Sequence, residues 1–251
     1  MLSKGRLIIF LILPLAAILL YGGGVKAAED GNLGVGGVEL LIAQMPSFEP
    51  VRVVTTGNTK AMRVALTFDD APNPFYTDEL LRIMREKGVR ATFFCMGNKC
   101  QLYPDLLVKI LRDGHDVGNH SYSHPKLDTL PRDDWQEEIL YTNRIIKRVL
   151  GYDCRLFRPP HGRYNSDILD FVYAHGMTTC LWTLTTGDYL EPATGPFIKK
   201  VIAGTGPGGI ILMHDGTDCA VNTLGEIIDK LKAQGYEFVT MSEMIGGRVV
   251  F

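Results

Sequence analysis

Surplus charge of either sign is the first thing this sequence lacks. Twenty-six lysines and arginines face 28 aspartates and glutamates, a net charge of -2, which removes the electrostatic footprint that nucleic acid or an anionic surface would require. A neutral or weakly charged substrate is expected, with no nucleic-acid partner. Cysteines are few: the five, at positions 95, 100, 154, 180 and 219, contain no Cys-x-x-Cys pair, which argues against a thiolate metal site. Their odd number leaves at least one unpaired within the chain. Cys95 and Cys180 sit in apolar runs where cysteine fills space, so buried thiols are expected, with Cys95 to Cys100 the one short disulfide to consider. Repeats and low-complexity tracts are absent as well, and no unbroken apolar run reaches the ~20 residues of a spanning helix.

The longest such run, residues 7–20, is interrupted by Pro14 and preceded by Lys4 and Arg6. It is followed by a glycine-rich stretch that ends Val25-Lys26-Ala27. That order of basic, apolar and small residues reads as a secretory signal over residues 1–27, cut before Ala28, which places the mature chain outside the cytoplasm, secreted or extracytoplasmic. Retained, the same segment is a membrane anchor, the one membrane contact expected. Residues 28–60 read as a spacer or a strand leaning on the domain, and residues 61–251 as one catalytic domain. With 46% hydrophobic residues, such a length can bury a full core. Oligomeric state is not legible.

From residue 63 onward, short apolar runs alternate with amphipathic segments, the pattern of strands joined by crossover helices in a parallel sheet. Strands are expected at 64–68, 91–95, 116–118, 156–158, 178–184, 210–213 and 237–240. Helices are expected at 77–87, 104–112, 132–150, 166–175, 195–203 and 221–234. Glycines at 88, 114, 151, 176 and 235 follow five of the helices, as left-handed C-caps do. About seven such units predict an α/β fold, a distorted (β/α) barrel whose active site lies on the carboxyl-terminal rim of the strands.

Short polar motifs stand at those strand ends. Asp69 and Asp70 close the first strand, and alternation predicts that they point to opposite faces, one free to bind metal and the other to act as base. Taken alone, such a pair is usually a solvated turn. His120 and His124, four residues apart, suit one metal ion if carried on a helical turn. Two histidines and a carboxylate make a divalent site with a position left open, best suited to zinc, with cobalt, manganese or iron able to use the same donors. His115 and His175 lack such placement and read as structural. Trp135 and Trp182 read first as packing residues, Trp182 also as a candidate pocket wall.

In order and spacing, Thr67-Phe68-Asp69-Asp70, His120-Ser121-Tyr122-Ser123-His124, Arg158-Pro159-Pro160-His161-Gly162, Asp188-Tyr189 and Leu212-Met213-His214-Asp215 resemble the five motifs of the polysaccharide deacetylases of carbohydrate esterase family four. The similarity runs over about residues 60–245. It implies a divalent metal held by Asp70, His120 and His124, with Asp69 as general base. Arg158 positions that base, His214 is the general acid and Asp188 tunes it. Leu212 lines the acetyl pocket, while His161 and Tyr189 border the substrate. The implied substrate is an N-acetylated polysaccharide, peptidoglycan or chitin-like. The alternatives are an O-acetyl esterase on xylan or another glycan, and a wall-binding protein that keeps the fold without turnover. The chain departs from the family pattern at Ala71, usually glycine, at His161, usually aromatic, and at Thr185 and Tyr189, commonly Asp and Trp. These changes bear on substrate fit more than on chemistry.

Overall fold

A computed structural model describes residues 48–246 of the protein. The expected leader and the first part of the 28–60 segment lie outside the described residues. The described residues fold into nine strands, every pair of them parallel, with helices in the crossovers. The strands are β1 (Val53–Val54), β2 (Arg63–Ala71), β3 (Thr92–Cys95), β4 (Asp116–Asn119), β5 (Leu156–Phe157), β6 (Thr178–Cys180), β7 (Leu184–Thr185), β8 (Gly209–His214) and β9 (Glu237–Val239). The helices are α1 (Thr77–Lys87), α2 (Gly97–Leu102), α3 (Pro104–Arg112), α4 (Arg132–Leu150), α5 (Ser166–Ala174), α6 (Gly195–Gly204), α7 (Asp218–Ala233) and α8 (Met241–Gly246). No helix among the described residues is long and apolar enough to cross a membrane.

The sheet runs β1-β6-β5-β4-β3-β2-β8-β7, with β9 also paired to β2. β6 and β7 lie towards opposite ends of this order, yet only residues 181–183 separate them. Leu181 N–H donates to the Val54 carbonyl (2.8 Å) and Thr183 N–H to that of Ile210 (3.0 Å), so the chain itself joins the two ends of the sheet. Closure through this bent link gives the distorted barrel. It also divides the strand expected at 178–184, because one straight strand cannot serve both ends. β1 adds a further strand from within the segment read as spacer.

Alternation along the strands sorts their side chains into two layers. Val64, Leu66 and Phe68 of β2, Phe93 and Cys95 of β3, and Ile211 and Met213 of β8 join the large core beneath the helices. Ala65, Phe94, Leu156, Cys180 and Ile210 pack together on the other face, inside the barrel. Two-faced burial explains why these strands read as continuous apolar runs rather than alternating ones. It also places Thr67, Asp69, Leu212 and His214, each in phase with the inward set, on the inner face at its carboxyl end.

Helix ends follow the local chemistry. Gly88, Gly114, Gly151, Gly176 and Gly235 all have positive φ, as expected of C-caps. The last long helix starts three residues earlier than its apolar pattern suggested because the Thr217 hydroxyl accepts the Ala220 N–H as an N-cap (3.0 Å). All five cysteines are free and buried. The short Cys95 to Cys100 disulfide is therefore not formed, and burial raises the Cys95 thiol well above its usual pKa, which keeps it unreactive.

Candidate active site

The motifs converge on one cleft of about 590 Å³ at the carboxyl-terminal rim. Asp69 and His214 are direct neighbours in the β2–β8 register, so side chains from the two strands stand side by side. Since the sheet runs β4-β3-β2-β8-β7 here, the groups follow in order along the rim: the histidines after β4, the aspartates of β2, His214 of β8, then Asp188 just beyond β7.

Asp70 departs from strict alternation. Its φ is +63°, and the β2–β3 register shifts between Phe68 and Ala71. A bulge of this kind re-aims a side chain, so the two carboxylates share one centre instead of facing opposite sides. Asp69 Oδ2 lies 3.6 Å from His120 Nε2, and Asp70 Oδ1 lies 3.8 Å from His120 Nε2 and 3.5 Å from His124 Nε2. The histidines are not on a helical turn. β4 ends at Asn119 and the chain loops through Ser121 and His124, both left-handed at φ +61° and +64°, because the loop's hydrogen bonds go outward and not up a helix.

Asp70, His120 and His124 each present a ligand atom within 4.8 Å of the others, and the residues fit a divalent cation on further grounds. Asp70 Oδ1 is buried with no hydrogen-bond partner, a costly state that a cation would relieve. His120 Nδ1 lies 2.8 Å from the Arg158 carbonyl, a bond in which the ring must donate. Its Nε2 is therefore the free acceptor, the usual arrangement for a ligating imidazole. Burial, and next the adjacent His120, pull His124 down to about 4, so its ring is neutral and able to ligate at physiological pH.

On the other side of Asp69 stands His214, the residue expected as the acid. Asp188 is 2% exposed. Its Oδ1 is 2.9 Å from His214 Nδ1, and its Oδ2 accepts the His214 N–H (2.9 Å) and the Thr217 hydroxyl (3.0 Å). Burial alone would lower the His214 pKa, but the hydrogen bond and charge of Asp188 outweigh it, and the imidazole is raised above its ordinary value. Asp188 moves the opposite way. Burial pushes it up, and the bonds and charge of His214 bring it below the usual carboxylate range. Each partner thus favours the charged form of the other, His⁺ beside a carboxylate.

Arg158 is fully buried. It donates to Asp69 Oδ1 and Thr67 Oγ1 (both 2.8 Å) and to the carbonyls of Cys180 and Leu181 (both 3.1 Å), with its guanidinium 4.0 Å from the Phe94 ring centroid. Four of its five N–H donors are used, one on Asp69 and three on the surrounding frame, so the Asp69 carboxylate is held in one orientation. The family model of polysaccharide deacetylases matches residues 56–180. A peptidoglycan-N-acetylglucosamine deacetylase of Bacillus cereus is 32% identical over 193 residues, 75% of this chain and 70% of that protein.

The chain belongs to the polysaccharide deacetylase family. A peptidoglycan-N-acetylglucosamine deacetylase of Listeria monocytogenes is 35% identical over 205 residues, 82% of this chain but 43% of that protein. This polysaccharide deacetylase homologue therefore spans less than half the length of that relative. Among solved structures, a peptidoglycan N-acetylglucosamine deacetylase in complex with 4-naphthalen-1-yl-N-oxidanyl-benzamide superposes with a TM-score of 0.75 at 31% identity, over 77% of this chain and 92% of that one.

All ten site residues expected from this family's pattern lie in or directly behind the cleft. Asp69, Asp70, His120, His124, His161, Tyr189, Leu212 and His214 line it, while Arg158 and Asp188 stand behind the groups they hold. The departures from the family pattern cluster too. The His161 ring packs edge-on against His124 (4.5 Å) and Tyr189 against His214 (5.0 Å), so each replaced aromatic borders a histidine of the site. Thr185 and Trp182 complete the wall. His115 accepts the Ala91 N–H (3.0 Å) in the core and the ring nitrogen of His175 bonds the Phe171 carbonyl, both structural.

Sequence reasoning missed Asp215 and Lys99. Asp215 is fully buried, accepts from Thr77 Oγ1 (2.5 Å) and leaves Oδ1 without a partner. Burial raises it to about 7 against the opposing Thr77 bond and Lys99 charge. Lys99 Nζ donates to the Asp70 carbonyl (2.7 Å), and the Asp215 N–H to that of Asp69 (2.8 Å), so both peptides of the aspartate pair are pinned. The acidic residue after His214 was a visible signal. Lys99 gave none, since its contact lies 29 residues away across the β2–β3 crossover.

Proposed function

We propose that this chain is a metal-dependent N-deacetylase acting on N-acetylhexosamine units of a cell-wall polysaccharide, peptidoglycan in the first instance, outside the cytoplasm. The observation that carries the proposal is the pairing of Asp69 with His214 on adjacent strands, the first held by Arg158 and the second shifted towards its cationic form by Asp188. A fixed carboxylate base next to a charged imidazole acid suits amide hydrolysis, because an amide nitrogen leaves only after protonation.

In this reading the acetamido group enters the cleft with its methyl against Leu212 and Trp182. A divalent cation held by Asp70, His120 and His124 supplies Lewis acidity towards the acetyl carbonyl and the attacking water. Asp69 Oδ2, the oxygen not engaged by Arg158, takes the proton from that water. The backbone N–H of His161 faces the developing oxyanion, a role indifferent to the side chain. His214 then passes its Nε2 proton to the departing amine, while Asp188 holds Nδ1 and compensates the charge. His161 and Tyr189 border the sugar. Two imidazoles and one carboxylate favour zinc, and cobalt, manganese or iron have the same donors open to them.

Both relatives described above carry names that specify peptidoglycan N-acetylglucosamine, which supports peptidoglycan as the first polymer to test. The expected leader supports export, and mass spectrometry of the mature amino terminus tests it. To separate amide from ester chemistry, acetate release by parent and His214→Ala protein is compared on N-acetylated and O-acetylated glycans. Loss of an acid catalyst should cost about 10²–10⁴-fold on the amide and distinctly less on the ester, whose alkoxide leaves with less help. Equal losses would remove His214 as the acid.

A further inference from the structure

The two histidines of the metal triad are joined by a loop with no regular structure to hold it, so its backbone donors must find partners elsewhere. The accounting is complete. The His120 N–H reaches the Cys95 carbonyl (2.9 Å), the Ser121 N–H the Asn119 side chain (2.8 Å), and the His124 N–H the Ser121 hydroxyl (3.1 Å). The two in the middle, Tyr122 and Ser123, both donate to a single oxygen, Glu138 Oε2, at 2.8 Å each. The other oxygen, Oε1, accepts the Ser123 hydroxyl (2.7 Å). The N–H groups of Gly97 and Asn98 in turn cap the carbonyls of Ser121 (2.9 Å) and Tyr122 (3.1 Å).

Glu138 lies on α4, outside all five motifs, and reaches none of the triad's ligand atoms. Consecutive N–H groups that converge on one point form a concavity that prefers an anion, and Glu138 supplies it. We propose that Glu138 is a positioning residue that pre-forms the metal site, tying the loop between the two histidine ligands to α4 so that Ser121 and His124 keep their left-handed conformations. The proposal rests on the metal reading above. Without Glu138 the Tyr122 and Ser123 donors must turn to water, and the loop is free to relax with His124 carried off the triad.

The test is metal affinity, read without turnover. Full-length protein is stripped of metal and titrated with cobalt(II), followed by absorbance, and with zinc against a chromophoric chelator. Four proteins are compared with the parent: Glu138→Ala, Glu138→Gln, His120→Ala, and Glu137→Ala on the same helix, whose partner Arg144 has no part in the site. Circular dichroism of the metal-free forms checks folding. Glu138→Ala should bind about 10–100-fold more weakly, the usual cost of losing a group behind a ligand. Glu138→Gln, whose amide oxygen can still accept both N–H groups, should stay within a few-fold of the parent, as should Glu137→Ala.

Glu138→Ala binding as tightly as the parent would overturn the proposal. So would a Glu138→Gln loss as large as that of Glu138→Ala, which would point to charge and not to position. If Glu138→Ala does not fold, Glu138→Asp takes its place: one methylene shorter, it cannot reach both donors and should lose affinity where Glu138→Gln does not. A parent that binds no metal, or binds it as well after His120→Ala, would instead overturn the metal reading.

Discussion

Replacing Arg158 by methionine keeps much of the side-chain volume and removes the charge. In the fold, Arg158 makes four hydrogen bonds, one of them to Asp69, which is itself only 4% exposed. The substitution therefore leaves a buried carboxylate without its counter-ion, and breaking a buried pair from one side costs about 3–5 kcal/mol. For a domain of this size each kcal/mol lowers the midpoint by about 2–4 °C, so a fall of roughly 6–20 °C is expected. Asp69→Asn attacks the same pair from the other side. Arg158 then keeps its three other acceptors and a neutral oxygen in place of the charged one, and the cost should be nearer ~1–2 kcal/mol. The double variant should be more stable than Arg158→Met alone, because the orphaned charge has gone. Thermal and urea denaturation of metal-free protein measure all three, with acetate release low in each. Equal destabilisation by the two single changes, or no rescue in the double, would refute the claim that Arg158 neutralises and holds the base.

Asp188→Asn removes the charge that, with its hydrogen bond, does most to raise His214, leaving burial, which lowers it, opposed only by the lesser charges of Asp69 and Asp70. The acid works protonated and is lost as pH rises through its pKa, so the alkaline limb of the kcat/KM profile should move to lower pH, with kcat at neutral pH down by about 10²-fold or more; an unmoved limb counts against the pair. Asp215→Asn should act on stability with a pH signature. A carboxyl raised from 3.8 to about 7 by burial destabilises the fold increasingly as pH climbs between those values, so the variant's advantage over metal-free parent should grow across that window by up to ~4 kcal/mol and level off above it. Denaturation at pH 4, 6 and 8 checks this, and a difference independent of pH would contradict it.

What the sequence revealed and what it hid have physical causes. Strands β2, β3 and β8 were legible because burial on both faces makes them apolar throughout, and helix ends because a left-handed C-cap selects glycine. The site residues were legible because their motifs stand at strand ends that a parallel barrel must gather on one rim. Three things were not. The common direction of Asp69 and Asp70 depends on a bulge whose φ of +63° has no glycine to announce it. The loop that carries His120 and His124 looked like a helical turn because an i, i+4 spacing is shared by both, and the partners that hold the loop include Cys95 and Glu138, which lie far from it in sequence. The link at residues 181–183 read as one strand with its neighbours, since a bend that closes a barrel leaves no breaker residue in Leu181-Trp182-Thr183.

The central claim, that these residues make a metal-dependent N-deacetylase, is met most directly by acetate release from N-acetylglucosamine oligomers and purified peptidoglycan. Protein stripped of metal is compared with the same protein given back zinc, beside His120→Ala treated in the same way. The account predicts negligible release from stripped protein, recovery with zinc in the parent and little or none in His120→Ala. Release that persists in stripped protein, or none from either substrate when metal binding is demonstrated, would contradict it.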